Sequence, residues 1–118
     1  MILVDTSVWI KHLRDGNSRL ENLLENTEVL CHSFIIGELT CGNLKNRKEI
    51  LNFFRFLPKA NLASDKEVFK LIEKRKLYGL GIGWVDAHLL ASALISNCLI
   101  WTVDKRLSKV AQKLEINF

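Results

Sequence analysis

The strongest constraint on this chain is an alternation, from end to end, of short apolar runs with longer amphipathic stretches. Ile2-Leu3-Val4 is a continuous apolar run, the pattern of a strand buried on both faces in a parallel sheet. Asp5-Thr6-Ser7 then supplies helix-capping side chains ahead of Val8, Trp9, Ile10 and Leu13. A turn at Asp15-Gly16-Asn17-Ser18 leads into a helix bearing Leu20, Leu23 and Leu24 and ending near Asn26. Glu28-Val29-Leu30-Cys31 reads as a second strand, and Ser33 as the cap of a helix carrying Ile35, Ile36 and Leu39. The spacing from Lys48 to Leu57 predicts another helix, stopped by Pro58, with Ala60-Asn61-Leu62 as a short edge strand. Ser64 with Glu67 three residues later is a capping box, opening a helix to Tyr78. After Gly79, Gly81 and Gly83, a helix is expected from about Trp84 to Asn97, followed by a strand over Leu99–Val103. Asp104 caps a last helix to Leu114, and Ile116-Asn117-Phe118 closes as a strand. Strands alternating with helices, without repeat or linker, predict one α/β domain over 1–118, a three-layer α/β/α sandwich around a mainly parallel central sheet.

A chain of 118 residues buries roughly two-thirds of its unfolded surface, enough for a core without covalent staples. Cys31, Cys41 and Cys98 fit neither a disulfide framework nor a zinc motif, and read as reduced thiols in or near the core. Apolar runs fall far short of the ~18 residues of a membrane span. Asp5 follows Met1–Val4 directly, with no basic region and no cleavage site, so a cytoplasmic location is expected. The net charge of +4 suits a polyanionic partner without establishing one.

Most of the 13 acidic residues, Glu21, Glu25, Glu49, Glu67 and Glu73 among them, fit solvated helix faces. Four do not. Asp5 and Asp104 each follow directly on a predicted strand, which places them at the carboxyl edge of a parallel sheet, where α/β folds build ligand sites. Asp86 lies in the first turn of its helix, and Glu38 in the first two turns of the helix after the second strand, among Ile35, Ile36 and Leu39. Like charges this close repel one another, and a divalent cation relieves the conflict; Mg²⁺ and Mn²⁺ prefer such oxygen donors. Helix N-termini at Asp86 and Asp104 help to keep both ionised. No nucleophile competes. His12 and His32 read as partly exposed, and His88, two residues from Asp86, points off its face with a substrate contact as its functional alternative. The glycines at 79, 81 and 83 follow a helix rather than a strand and lack the Lys-Ser/Thr of a phosphate loop, so they shape the approach to Asp86.

Four segments together resemble the motifs of the PIN-domain family, specifically the toxin (VapC-type) half of bacterial and archaeal VapBC toxin–antitoxin pairs. "MILVDTSVWI" is similar to the first motif with Asp5, and "SFIIGELTCG" to the second with Glu38. "GIGWVDAHLLASAL" is similar to the third with Asp86, and "LIWTVDKRL" to the fourth with Asp104. One departure is Leu107, where relatives often carry an aromatic residue. The resemblance implies an endoribonuclease dependent on Mg²⁺ or Mn²⁺, leaving a 5′-phosphate and a 3′-hydroxyl, on a structured RNA such as tRNA. It implies Asp5, Glu38 and Asp86 as principal metal ligands, with Asp104 as an outer or second-metal ligand. Thr6, Ser7 and Thr102 fall where the family has small hydroxyl residues beside the metal. It also implies a homodimer and neutralisation by a VapB-type antitoxin.

Basic residues near the acidic motifs, namely Lys11, Arg14, Lys45, Arg47, Lys105 and Arg106, are candidates for gripping RNA phosphates. A further basic cluster, Lys70 with Lys74-Arg75-Lys76, has no assignable direction. The leucines at 20, 23 and 24 and the Phe53, Phe54, Phe56, Leu57 group offer apolar surface for an antitoxin helix. Two rival readings remain. A non-catalytic RNA-binding PIN-fold module would tolerate loss of an acid, and all four are present. An aspartyl-phosphate receiver or phosphatase would have no use for Glu38.

Overall fold

A computed structural model describes all 118 residues as seven helices and a three-stranded parallel sheet. The central strand β1 (Ile2–Val4) pairs in parallel with β2 (Val29–Leu30) on one side and β3 (Leu99–Trp101) on the other. Between β1 and β2 lie α1 (Thr6–Asp15) and α2 (Ser18–Glu25). Between β2 and β3 lie α3 (Ser33–Thr40), α4 (Arg47–Phe56), α5 (Asp65–Arg75) and α6 (Trp84–Ile95), and α7 (Lys105–Lys113) follows β3.

The expected strands at 60–62 and 116–118 shrink to single parallel bridges, Cys31 with Lys59 and Ile100 with Asn117. Cys31 bonds the backbone on either side of Lys59, but the Asn61 N–H turns away to Ser96 Oγ at 2.8 Å, which ends the ladder. Right-handed crossovers through these outer bridges place α1 to α4 on one face of the sheet and α5 to α7 on the other. The chain leaving β1 and the chain leaving β3 therefore run in opposite directions. The crevice at such a reversal, outside the carboxyl ends of the strands, is where open α/β sheets hold ligands.

Caps explain most helix boundaries. Asn17 accepts from Leu20 N at 2.9 Å, and Ser64 with Glu67 forms the expected reciprocal box. The cap of α3 is His32 rather than Ser33: its Nδ1 accepts from Phe34 N at 3.0 Å, a ring nitrogen doing what an Asn oxygen does elsewhere. Helix α5 stops three residues before the expected Tyr78 because Lys76 is left-handed and Leu77 N bonds back to Ile72 O.

One apolar cluster of 24 buried residues joins the sheet to both helical layers, with Leu3, Val4, Leu89, Leu90 and Ile100 at its centre. Each such side chain contributes about 1.5–3 kcal/mol of transfer free energy. Leu107, the departure from the family pattern, is buried in this cluster. The two helices expected to carry spare apolar surface differ. On α2, Leu20 is buried and Leu23 and Leu24 pack against the core. On α4, Phe54 packs on Trp9 at 4.7 Å, whereas Phe53 is 42% and Phe56 88% exposed. Cys31 and Cys98 are buried and Cys41 exposed; burial pushes the Cys31 thiol up to about 11, so it is inert.

Candidate metal centre

The end of β1 turns directly into α1, and that turn carries Asp5, which is buried to 7% exposure. Its N–H bonds the carbonyl of Trp101, which locks the ends of β1 and β3 together. One carboxylate oxygen, Oδ2, accepts from Ser7 Oγ at 2.7 Å and from Thr102 Oγ1 at 2.8 Å. Ser7 Oγ in turn accepts from Val103 N at 3.2 Å, and Thr102 Oγ1 from Asp104 N at 3.0 Å. Two hydroxyls thus tie Asp5 to the turn that leads into Asp104.

The other acids join through the same rim. Thr6 Oγ1 donates to Glu38 Oε1 at 2.8 Å, bringing α3 against the start of α1. Asp104 caps α7 through Oδ1, which accepts from Arg106 N at 2.9 Å and Leu107 N at 3.0 Å. Asp86 Oδ2 accepts from Gly83 N at 3.2 Å across the first turn of α6. Burial holds the Asp86 carboxyl above its ordinary range; the Gly83 bond opposes this, and the charges of Asp5 and Asp104 add to it.

Every one of the four carboxylates spends a single oxygen on protein donors. Asp5 Oδ1, Glu38 Oε2, Asp86 Oδ1 and Asp104 Oδ2 have no protein partner. No Lys, Arg or His forms an ion pair with any of them, the only pairs being Arg14–Asp15 and His88–Asp65. This all-oxygen, uncompensated donor set fits a hard divalent cation. No three of the acids close tightly enough to hold an ion unaided. That looseness suits an ion such as Mg²⁺, which keeps several waters and takes one or two carboxylates directly.

The histidines stand elsewhere. His32, expected to be partly exposed, is 1% exposed; its Nε2 lies 3.0 Å from Ser92 Oγ on α6, a partner 60 residues away that local pattern does not reveal. Burial, and then the nearby His88, push its pKa down to about 4. His88 is also buried, its Nε2 lying 3.1 Å from Asp65 Oδ1, so it braces α6 against α5 rather than facing the rim. His12 is half-buried, its Nδ1 accepting from Asn17 N.

Among the basic candidates, Lys11 is exposed on α1, while Arg14 pairs with Asp15 and lines a groove with Lys45, Ile10 and Leu13. Arg47 is spent on the carbonyls of Thr40 and Gly42 at the end of α3. Lys105 and Arg106 stand exposed directly after Asp104.

A model of the PIN domain matches residues 2–113, and the chain belongs to that family. It is 46% identical over 108 residues to Ribonuclease VapC32 of Mycobacterium tuberculosis, strain CDC 1551 / Oshkosh, covering 91% of this chain and 87% of the relative. The Ribonuclease VapC32 of strain ATCC 25618 / H37Rv matches to the same degree. No helix is long and apolar enough to cross a membrane.

Proposed function

We propose that this chain is the toxin of a VapBC-type toxin–antitoxin pair, an endoribonuclease that hydrolyses RNA phosphodiester bonds with Mg²⁺ or Mn²⁺. The observation that carries the reading is the rim itself: four carboxylates, each with one free oxygen, and no cationic side chain paired to them. The kinship to a protein named as a ribonuclease supplies the substrate class.

Asp5, Glu38 and Asp86 would hold the cation directly or through its bound waters, with Asp104 as an outer ligand. When bound, the ion supplies Lewis acidity toward phosphate oxygens and makes water a stronger acid. Ser7 and Thr102 fix the direction of the Asp5 carboxylate, and Thr6 fixes that of Glu38, so neither must reorganise as charge develops on the phosphate. Asp86, with one carboxylate oxygen free of protein donors, would help to orient an attacking water. The VapB-type antitoxin and a homodimer are proposed on the same kinship, with the exposed phenylalanines of α4 as contact surface.

The test is RNA cleavage by the purified protein in Mg²⁺ or Mn²⁺, stopped by EDTA and abolished by Asp5→Asn. Undiminished cleavage by that variant overturns the mechanism. RNA binding without cleavage in either metal favours the non-catalytic module.

A further inference from the structure

Among the seven helices only α7 carries cations without an acid. Helix α7 carries Lys105, Arg106, Lys109 and Lys113 and no acid, so it accounts for an excess as large as the whole chain's +4; the remaining 13 cations balance the 13 acids. Its apolar stripe of Leu107, Val110 and Ala111 is buried, which holds the opposite face in a fixed orientation toward solvent. Arg106, Lys109 and Lys113, at i, i+3 and i+7, share that face over about 10 Å of helix rise.

Several cations elsewhere are already committed. Arg47 caps α3, Lys59 Nζ bonds the carbonyls of Phe54 and Arg55, and Arg19 lies over the Phe118 ring at 4.0 Å. No side chain of the four α7 cations has a hydrogen-bond or ion-pair partner.

Two grooves run along the flanks of α7. One, of about 290 Å³, is lined by Leu80, Arg106, Lys109, Val110 and Lys113. The other, of about 310 Å³, is lined by Thr102, Val103, Lys105, Ser108, Lys109 and Gln112. Neither contains a carboxylate, and Lys109 borders both. The second begins at Val103 and Lys105, which flank Asp104, and the first at Arg106, two residues beyond it. Arg106 lies across the loop before Asp86, its Cδ 2.7 Å from where a Cβ on Gly81 would stand, and Gly81 has φ +80°. The glycine therefore lets Arg106 close the first groove against Leu80 at the edge of the acidic rim. By contrast, the groove between α5 and α6 that holds Lys70 and Lys74 is also lined by Glu67, which offsets their charge.

We propose that α7 is the track along which the RNA backbone leaves the acidic rim, with Lys109 and Lys113 as phosphate contacts beyond Lys105 and Arg106. The proposal rests on the ribonuclease reading above. Unpaired lysines on a rigid face recognise the regular phosphates of any RNA strand rather than its bases.

The test compares Lys109→Gln/Lys113→Gln with Lys70→Gln/Lys74→Gln, which changes the total charge equally; glutamine preserves helix propensity. The probes are polyuridylate and the dinucleotide UpU, bound in EDTA over a salt series. The α7 double variant should bind polyuridylate roughly tenfold more weakly, with a log-affinity against log-salt slope shallower by about 1.4, as for two lost single-strand contacts. UpU, whose single phosphate leaves none for a second contact along α7, should bind wild type and variant alike. The α5 double variant should keep the wild-type slope. Equal slopes in wild type and α7 variant, or equal losses in both variants, overturn the track while leaving cleavage intact. A wild type that neither binds polyuridylate nor cleaves RNA overturns the ribonuclease reading and the track with it.

Discussion

Helices α6 and α7 begin side by side on the acidic rim, and each presents an aspartate there, yet they stand in opposite surroundings. Helix α6 buries seven consecutive residues, Ala87 to Ala93, and carries no cation. Helix α7 buries only a stripe and turns four cations outward. Asp104 is exposed and accepts two backbone N–H groups, so it stabilises its helix as an ordinary cap. Asp86 is half-buried, accepts one, and faces two further carboxylates. A carboxylate retained where it costs the fold stability is the stronger pointer to function, and on that ground Asp86 outranks Asp104.

Asp86→Asn tests this contrast with the largest effect. Cleavage should fall by about a thousandfold or more, on the order of 4 kcal/mol of transition-state stabilisation. The metal-free protein at neutral pH should melt at or above the wild-type temperature. The sign follows from linkage: a carboxyl that titrates higher in the folded state than in the unfolded one lowers stability as pH rises through that raised value. Asparagine removes this loss and can still accept the Gly83 N–H. Melting scans in EDTA across pH check it, and a variant that melts well below wild type at neutral pH would make Asp86 a structural residue.

What the sequence discloses and what it hides divide along the same line. Asp5, Glu38, Asp86 and Asp104 are legible because each sits at a strand end or in the opening turns of a helix, and a parallel sheet brings such positions to one edge. The hydroxyls of Thr6, Ser7 and Thr102 are legible only through motif resemblance; their bonds span as many as 97 residues. The burial of His32 depends on Ser92, and the shortening of the 60–62 strand on Ser96, both remote partners on or at the end of α6. Lys109 and Lys113 read locally as a solvated helix face. Their isolation from acids emerges only when the loop at Leu80 and Gly81 folds against them.

His32 probes the α6 side of the comparison through its bond to Ser92. Its folded pKa, about 4 against an ordinary 6.5, means that the neutral ring is preferred in the folded state. Its contribution is complete above pH 6.5 and is lost as pH falls toward 4, by at most roughly 3 kcal/mol. Acidification thus weakens the protein through His32 and strengthens it through Asp86. His32→Asn keeps an acceptor for the Phe34 N–H and should flatten the acid-side loss, while Asp86→Asn should steepen it. Identical pH profiles for wild type and His32→Asn would show that the ring does not titrate as its burial dictates.

The smallest effect belongs to Asp104, where capping and chemistry can be separated. Asp104→Ala removes the acceptor of two N–H groups and should cost about 1 kcal/mol, lowering the melting temperature by about 4 °C. Asp104→Asn retains a capping oxygen and should melt close to wild type. If the carboxylate serves the rim as an outer ligand, both variants lose cleavage to a similar extent, about tenfold, although only one loses stability. Wild-type cleavage by Asp104→Asn would reduce Asp104 to a cap. The rim would then consist of three acids, with α7 contributing its cations and not its aspartate.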